Sequence, residues 1–504
     1  MRRHVMRHAA WIWFLLGFGG LMFSRAGHLL PTIPVAILIA PVFILRFSRT
    51  RPGWRGTVGV VVGFLLSMNI ALWALLDTGE VATTIAVNVV RSSMIALVYA
   101  VPFLVDRLVA AHFPGLAATL VLPTATVAVF FLAGLDGPLE GGGAWTVYVH
   151  ALGHRPLLQV ASVVGLWGLV FLGAWAPALV NHAWQSGFAR PQLGQALAAG
   201  VVVLLAVYAF GITAIRSFDR SGAPTVTVAA VVLRPDDAAG RTTPDIKNRI
   251  LSPVEESLAA IADRTRTAAA HGARIVAFQE YTMALDERDE PGLTDRLGRI
   301  ARDSGVYLSV TYAMIPREGK GRNTQVLFDP AGTLVIEHVK RYLLGFADLG
   351  EAGVFDKGDG VLHAVDTPYG RLGVATCREL GVTRHMRQAA ELGVDIVVNP
   401  SSDWPRSTAP LHELQSVNYG FSILRPVSNG YSYAVDPTGK LLAHLQTDHS
   451  TGGIMYARLP IEGRTTAYGR FGDLFAWSAV LGVAVLIGWE AVARTRRRET
   501  ARSG

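Results

Sequence analysis

The stretch GRLGVATCREL, residues 370–380, runs a short apolar strand, Leu372 to Ala375, straight into Cys377, the chain's single cysteine. Arg378 and Glu379 follow at once. The carboxyl ends of strands in an α/β sheet open onto a crevice, so a thiol just past a strand end is placed where such sheets present reactive groups. One cysteine excludes an internal disulfide and leaves the redox compartment undetermined.

Strand and helix signals alternate on both sides of this stretch. TVTVAAVVL (225–233), ARIVAFQE (273–280), VYLSVTYAMI (306–315) and VDIVVNP (394–400) read as strands. SPVEESLAAIADRTRTAAAHG (252–272) has helical periodicity, a Ser252-x-x-Glu255 start and a terminal glycine. LTDRLGRIARDSG (293–305) and VTRHMRQAAELG (382–393) are also helical in pattern. NTQVLFDPAGTLVIEHVK (323–340) and GYSYAVDPTGKLLAHL (430–445) read as hairpins about DPAG and DPTG turns. The alternation predicts a layered α/β domain over residues 224–463, with helices on the sheet faces.

The rest of the chain has another character. The 504 residues are 51% hydrophobic, with a mean hydropathy of +0.35, more than a soluble chain of this length needs. The surplus falls in eight apolar runs, approximately 9–24, 29–47, 58–76, 84–105, 115–135, 158–180, 195–215 and 474–493. A helix needs roughly 20 apolar residues to cross a bilayer core. The predicted plan is seven transmembrane helices in residues 1–215, the α/β domain, an eighth span at 474–493 and a basic tail at 494–504.

Alternate loops carry the positive charge: Arg2, Arg3 and Arg7; Arg46, Arg49, Arg51 and Arg55; Arg107; Arg190; then Arg494, Arg496, Arg497, Arg498 and Arg502. The opposite short loops hold only Arg25 and Arg155. The positive-inside rule puts both termini in the cytoplasm and residues 224–463 outside. The net charge of +8 is thus a signature of membrane orientation, and no nucleic-acid partner is expected. The loop 136–157, with Trp145, Tyr148, His150 and His154, reads as an interfacial aromatic belt.

Three residues share one local setting. Glu280 ends the strand RIVAF, Lys340 ends TLVIEHV and Cys377 ends RLGVA. Each alone has a bland reading, as surface charge or a small buried side chain. Together they supply a carboxylate to take a proton, an ammonium to stabilise an anion, and a thiol whose thiolate is the nucleophile. The ammonium, with the N–H of Arg378, would stabilise the oxyanion of a tetrahedral intermediate. No His/Cys cluster has metal-ligand spacing, and His363, His385 and His412 stand apart and read as structural or surface residues. No metal and no cofactor is expected.

VAFQE, HVKRYLL and GRLGVATCRE resemble the three motifs of the nitrilase superfamily, whose members place a Glu-Lys-Cys set on an αββα sandwich. NPSSDWP (399–405), RPVSNGYSYAVDPTGK (425–440) and TTAYGRFGDLF (465–475), with the order of spans, resemble the apolipoprotein N-acyltransferase family more particularly. The resemblance covers about 240 residues in the α/β domain. It implies a polytopic membrane enzyme of the bacterial inner (cytoplasmic) membrane with its nitrilase-like domain on the periplasmic or extracytoplasmic side. Such an enzyme takes an acyl chain from a phospholipid onto cysteine. It then passes the chain to the N-terminal amine of a diacylglyceryl-cysteine apolipoprotein. Carried over by motif, Glu280 is the general base, Lys340 the oxyanion stabiliser and Cys377 the nucleophile, and Glu379 matches the glutamate of the family's Cys-x-Glu. A further family glutamate, eight residues after the lysine, falls on Asp348; Glu351 lies three residues on, and either could serve, with Asp348 favoured by register and Glu351 otherwise a candidate for substrate binding. Trp404 and the segment Phe471 to Phe475 are candidates to line a lipid opening. Gln279 stands where the family has proline, and Arg378 where it has an aromatic residue. The short stretch from Lys340 to Cys377 is similar to that of soluble amidases. A membrane-anchored amidohydrolase using water as acceptor is therefore the alternative. A non-catalytic scaffold has no need of all three residues.

Overall fold

The computed structural model describes the chain except residues 1, 25–31, 74–79, 136–146, 221, 223, 235–240, 242–244, 247, 346–349, 403–408, 449 and 504. Asp348, Trp404 and the first half of the 136–157 loop, Trp145 included, therefore lie outside the described residues. The chain divides into two compact units, Met1–Thr213 with Asp473–Gly504, and Ala214–Gly472.

The first unit is helical. Among the described residues, six helices are long and apolar enough to cross a membrane: Gly53–Ala71, Val81–His112, Gly115–Gly134, Leu166–Gln185, Arg190–Asp219 and Leu474–Val492. The other two apolar runs form shorter apolar helices, Ala9–Leu21 and Ala36–Thr50. An aromatic seam fills the interior, in which Phe18, Phe47, Phe64, Phe103 and Phe130 are buried together with Ile44 and Met68. The packing is close enough that a Cβ on Gly63 would collide with the Phe18 ring. Some polar side chains inside the bundle are paired. Arg49 pairs with Asp106 at 2.8 Å, and Asn181 Nδ2 donates to the carbonyl of Val42 at 2.8 Å. Arg190–Asp219 is different, because only 6% of its most apolar window is buried. A helix with apolar side chains such as Val202 and Leu205 exposed is in its proper solvent in lipid.

The second unit is a sandwich of two sheets. The strands of the first sheet are β1 (Thr225–Val232), β2 (Ile275–Phe278), β3 (Met283–Leu285), β4 (Tyr307–Met314), β5 (Arg322–Phe328) and β6 (Leu334–Val339), with β15 (Gly453–Pro460) at one edge. Their order is β15-β1-β2-β4-β5-β6, with β3 paired to β4. The second sheet holds β7 (Ala364–Thr367), β8 (Gly370–Val374), β9 (Ile396–Val398), β11 (Ser422–Arg425), β13 (Tyr431–Val435) and β14 (Leu441–Gln446). Its order is β14-β13-β11-β9-β8-β7. The short strands β10 (Ser401–Ser402) and β12 (Val427–Ser428) pair in parallel.

Alternation of side chains across each strand divides the core into three layers. Val228, Ala230, Ile275 and Ala277 of the first sheet meet Leu372, Val374, Ile396 and Leu424 of the second. The outer face of the first sheet, with Val276, Phe278 and Leu308, is covered by Leu258 and Ile261 of the helix Val254–Ala270 and by Leu297 and Ala301 of the helix Leu293–Ser304. On the second sheet Val397, Ile423 and Tyr433 are covered by Met386 and Ala389 of the helix Thr383–Glu391. The result is an αββα sandwich. Both centres are parallel, β1, β2 and β4 in one sheet and β8, β9 and β11 in the other. The two predicted hairpins form as β5–β6 and β13–β14, each turn closed by an aspartate, Asp329 or Asp436, that accepts main-chain N–H bonds.

One local expectation fails. Ser252 and Glu255 do not open the first helix of this unit. The N-cap is Pro253, with no side-chain cap, and the Ser252 hydroxyl instead accepts the N–H of Ala284 at 3.0 Å. Proline fixes φ for the helix start, which frees the serine to hold β3.

Candidate active site

Glu280 lies two residues beyond β2. Its Oε1 accepts from Lys340 Nζ at 2.8 Å and from Asn323 Nδ2 at 2.8 Å. Its Oε2 accepts the main-chain N–H of Ser402 at 3.0 Å. Lys340 follows β6 directly, and its Nζ also donates to both carboxylate oxygens of Glu351 at 2.8 Å. All three side chains are buried, Lys340 completely. Glu351 sits on the single turn Gly350–Gly353 and accepts the N–H of Leu344 at 2.6 Å and the hydroxyl of Tyr281. Among the described residues it is Glu351, three residues beyond the position that register favoured, that meets the lysine.

Cys377 stands three residues past β8 with φ of 51°. A non-glycine residue held there costs on the order of 1–3 kcal/mol, so neighbouring bonds must impose the conformation. Its N–H donates to the carbonyl of Pro400 at 2.7 Å. Its carbonyl accepts from Asn399 Nδ2 at 3.2 Å and Arg425 Nη1 at 3.4 Å. Ser401 Oγ donates to the sulfur at 3.2 Å and accepts from Arg425 Nη2 at 2.8 Å. Arg425 is fully buried behind the thiol. Arg378 turns its guanidinium away, to the carbonyl of Leu343 at 3.0 Å.

The electrostatics follow from this arrangement. Burial works against the charge on Lys340, but the neighbouring Cys377, Glu280 and Glu351 outweigh it and hold the ammonium well above its ordinary value. Burial raises Glu280 above the usual carboxylate range; Lys340 pulls it down and the Glu351 charge pushes it up again. A raised carboxylate is a stronger base near neutral pH. Burial, then Glu351 and Glu280, hold Tyr281 well above the ordinary phenol, so it remains a donor to Glu351.

Glu379 has a different task. It closes a capping box with Thr376 over the turn Cys377–Gly381. Its Oε2 accepts the N–H of Thr376 at 2.8 Å and His338 Nε2 at 2.7 Å, and its Oε1 accepts the N–H of Arg341 at 2.7 Å. Burial alone would raise its pKa, but the charge and hydrogen bond of His338 hold it down to about 2. Such a carboxyl stabilises the fold above its unfolded value, and the contribution drains away as pH falls from 4.5 toward about 2. The gap corresponds to about 3 kcal/mol. Glu379→Gln is expected to lower the thermal midpoint at neutral pH and to remove this acid-induced loss. Equal acid sensitivity in variant and parent would refute the assignment.

The histidines read as isolated are not all so. His338, Glu379 and His385 are buried, with potential ligand atoms within 4.8 Å of one another. Both lone pairs of Glu379 Oε2 that face the cluster are already taken, by Thr376 N–H and His338 Nε2. The geometry is therefore that of an ion pair with a neighbouring imidazole, and a metal would have to displace a 2.7 Å hydrogen bond.

Sequence reasoning overlooked Tyr281, Asn323, Asn399, Ser401, Arg425 and His338. Tyr281 had the nearest signal, since it directly follows Glu280; in the structure it takes φ of 55°.

Residues 228–468 match the carbon-nitrogen hydrolase family, and this domain is of the nitrilase superfamily. The apolipoprotein N-acyltransferase of Geobacter metallireducens is 24% identical over 358 residues, covering 66% of this chain and 66% of that protein. An omega-amidase of Xenopus tropicalis is 29% identical over 180 residues, 32% of this chain and 64% of its own length. The chain thus spans just under two thirds of these curated relatives. Among solved structures, an amidase from Nesterenkonia sp. AN1 aligns with a TM-score of 0.39 at 18% identity, over 47% of this chain and 91% of that one.

Proposed function

We propose that this chain, a nitrilase-superfamily enzyme with membrane helices on both sides of its catalytic domain in sequence, is an N-acyltransferase. It moves a fatty acyl chain from a phospholipid through a thioester on Cys377 to the N-terminal amine of a diacylglyceryl-cysteine lipoprotein. It works from the bacterial inner membrane, with residues 224–463 on the extracytoplasmic side.

The observation that carries this reading is the buried Glu280–Lys340–Glu351 cluster beside a thiol on a positive-φ turn, in a chain with six apolar helices of membrane length among its described residues. Glu280 takes the thiol proton, and the thiolate attacks the ester carbonyl of the donor. The S–C bond forms, the ester C–O bond breaks, and Glu280 returns the proton to the departing lysophospholipid oxygen. The amine then attacks the thioester, the C–N bond forms, the C–S bond breaks, and the amine's proton restores the thiol by way of Glu280. Lys340 and the N–H of Arg378 stabilise the oxyanion in each half. Donor and acceptor are both lipid-anchored, and confinement to two dimensions raises their effective concentration.

The omega-amidase relatives favour a second reading, in which water takes the acyl group. One experiment decides. The full chain in detergent is given phospholipid alone, then a diacylated lipopeptide, with intact mass followed throughout. The expected result is one acyl mass on Cys377 that moves to the peptide amine. Release only as free fatty acid selects the hydrolase, and no acyl mass on Cys377 overturns both.

A further inference from the structure

The turn that carries the thiol and the turn that carries the amine are joined through one carboxylate. Glu379 accepts the N–H of Thr376, which precedes Cys377, and the N–H of Arg341, which follows Lys340. The third anchor is a side chain. His338 lies on β6 two residues before Lys340, is buried, and donates Nε2–H to Glu379 Oε2 at 2.7 Å. We propose that His338 is a positioning residue for the acyl-transfer site: it fixes the plane of the Glu379 carboxylate and so sets the place of the Cys377 sulfur against the Lys340 ammonium. This rests on the reading of Cys377 as nucleophile.

The groups around His338 suit that task. Glu379 is its ion-pair partner. The rings of His385 and His363 stand 5.9 Å and 6.2 Å from its own, and Asp359 adds negative charge. Burial opposes the charge of His338, but Glu379 holds its pKa above the ordinary value, while burial holds His385 below. The two imidazoles are thus biased apart, His338 toward the charged form against the carboxylate and His385 toward the neutral form. A hydrogen bond between a charged donor and acceptor is about twice as strong as a neutral one, which makes His338 a stiff tie.

The test reads the sulfur without any acyl donor, because the chain has a single cysteine. Alkylation of Cys377 by iodoacetamide is followed by intact mass from pH 5.5 to 9.5 in the full chain, for the parent, His338→Gln and His338→Asn. Glutamine places an amide N–H near the position of Nε2; asparagine is one methylene too short. The glutamine variant is expected to keep the parent's profile. The asparagine variant is expected to shift the profile alkaline and to lose about 10- to 100-fold in acyl transfer, the scale of a misplacement of about 1 Å.

Coincident profiles for all three proteins would overturn the proposal, as would a fall in turnover with no shift of profile. Loss of the cooperative unfolding transition in both variants would make the histidine a folding requirement alone, and overturns it too. Retention of one Zn²⁺ per chain through gel filtration, abolished by His385→Ala, would put a metal where the tie is drawn. A shifted asparagine profile in a protein that takes no acyl chain from phospholipid leaves the tie standing and defeats the acyl-transfer reading.

Discussion

If the proposed mechanism holds, Cys377→Ala is expected to lower acyl transfer by about 10⁴-fold or more, and adding Glu280→Gln to it to have almost no further effect. The reason is that base and nucleophile act on one proton and one bond. With the sulfur gone, Glu280 has no thiol proton to accept, so its own contribution disappears with it. Glu280→Gln alone keeps the sulfur and the hydrogen bond from Asn323, but it removes the proton acceptor, a loss of about 10²- to 10⁴-fold. Measured as first-order transfer to a lipopeptide, the three rates form a cycle. Additive losses would mean that Glu280 serves something other than the thiol.

How far the sequence reaches toward this site depends on what fixes each residue. Glu280, Lys340 and Cys377 were legible because each sits at or within three residues of the end of a strand whose apolar run is itself readable. Cys377 was the clearest, being the only thiol. Glu351 was harder. It is carried by a loop rather than by a strand, and a count of residues from Lys340 says nothing about where a loop folds back. Its place is set by the single turn Gly350–Gly353 and by Tyr281, neither of which has a periodic signature. Arg425 and Ser401 were quoted as parts of motifs without a role, because their role is a contact between β10, β11 and the turn after β8. His338 alternates with exposed Glu337 on a strand that looked like any hairpin arm. Its partner lies 41 residues away. Layers and strand ends follow from local pattern, whereas a buried hydrogen-bond network is a product of the sandwich closing.

Replacement of Lys340 by methionine should do more than slow the reaction; it should destabilise the α/β domain by about 3–5 kcal/mol, the scale for removing one partner of a buried ion pair. The two carboxylates on which Nζ sits, at 2.8 Å from Glu280 Oε1 and from Glu351 Oε1, would then face each other with no cation between them. For a domain of this size the thermal midpoint falls by roughly 10 °C. The sign of the pH dependence is opposite to that of Glu379. In Lys340→Met the Glu280 carboxyl, already held above its ordinary value by burial, loses the cation that pulls it down and keeps the Glu351 charge beside it, so the fold is favoured when Glu280 is protonated. The deficit is therefore largest at neutral and alkaline pH and shrinks as pH falls toward 4.5. Lys340→Met/Glu351→Gln should recover part of the lost stability at pH 7.5, because one of the uncompensated charges is gone, yet recover none of the acyl transfer, because the oxyanion still lacks its cation. Thermal unfolding of the three proteins at pH 5 and pH 7.5, beside the transfer assay, separates the two roles. A single variant as stable as the parent at pH 7.5 would mean that Glu280 and Glu351 do not both carry charge in the resting enzyme, and the cluster would have to be redrawn with a proton shared between them.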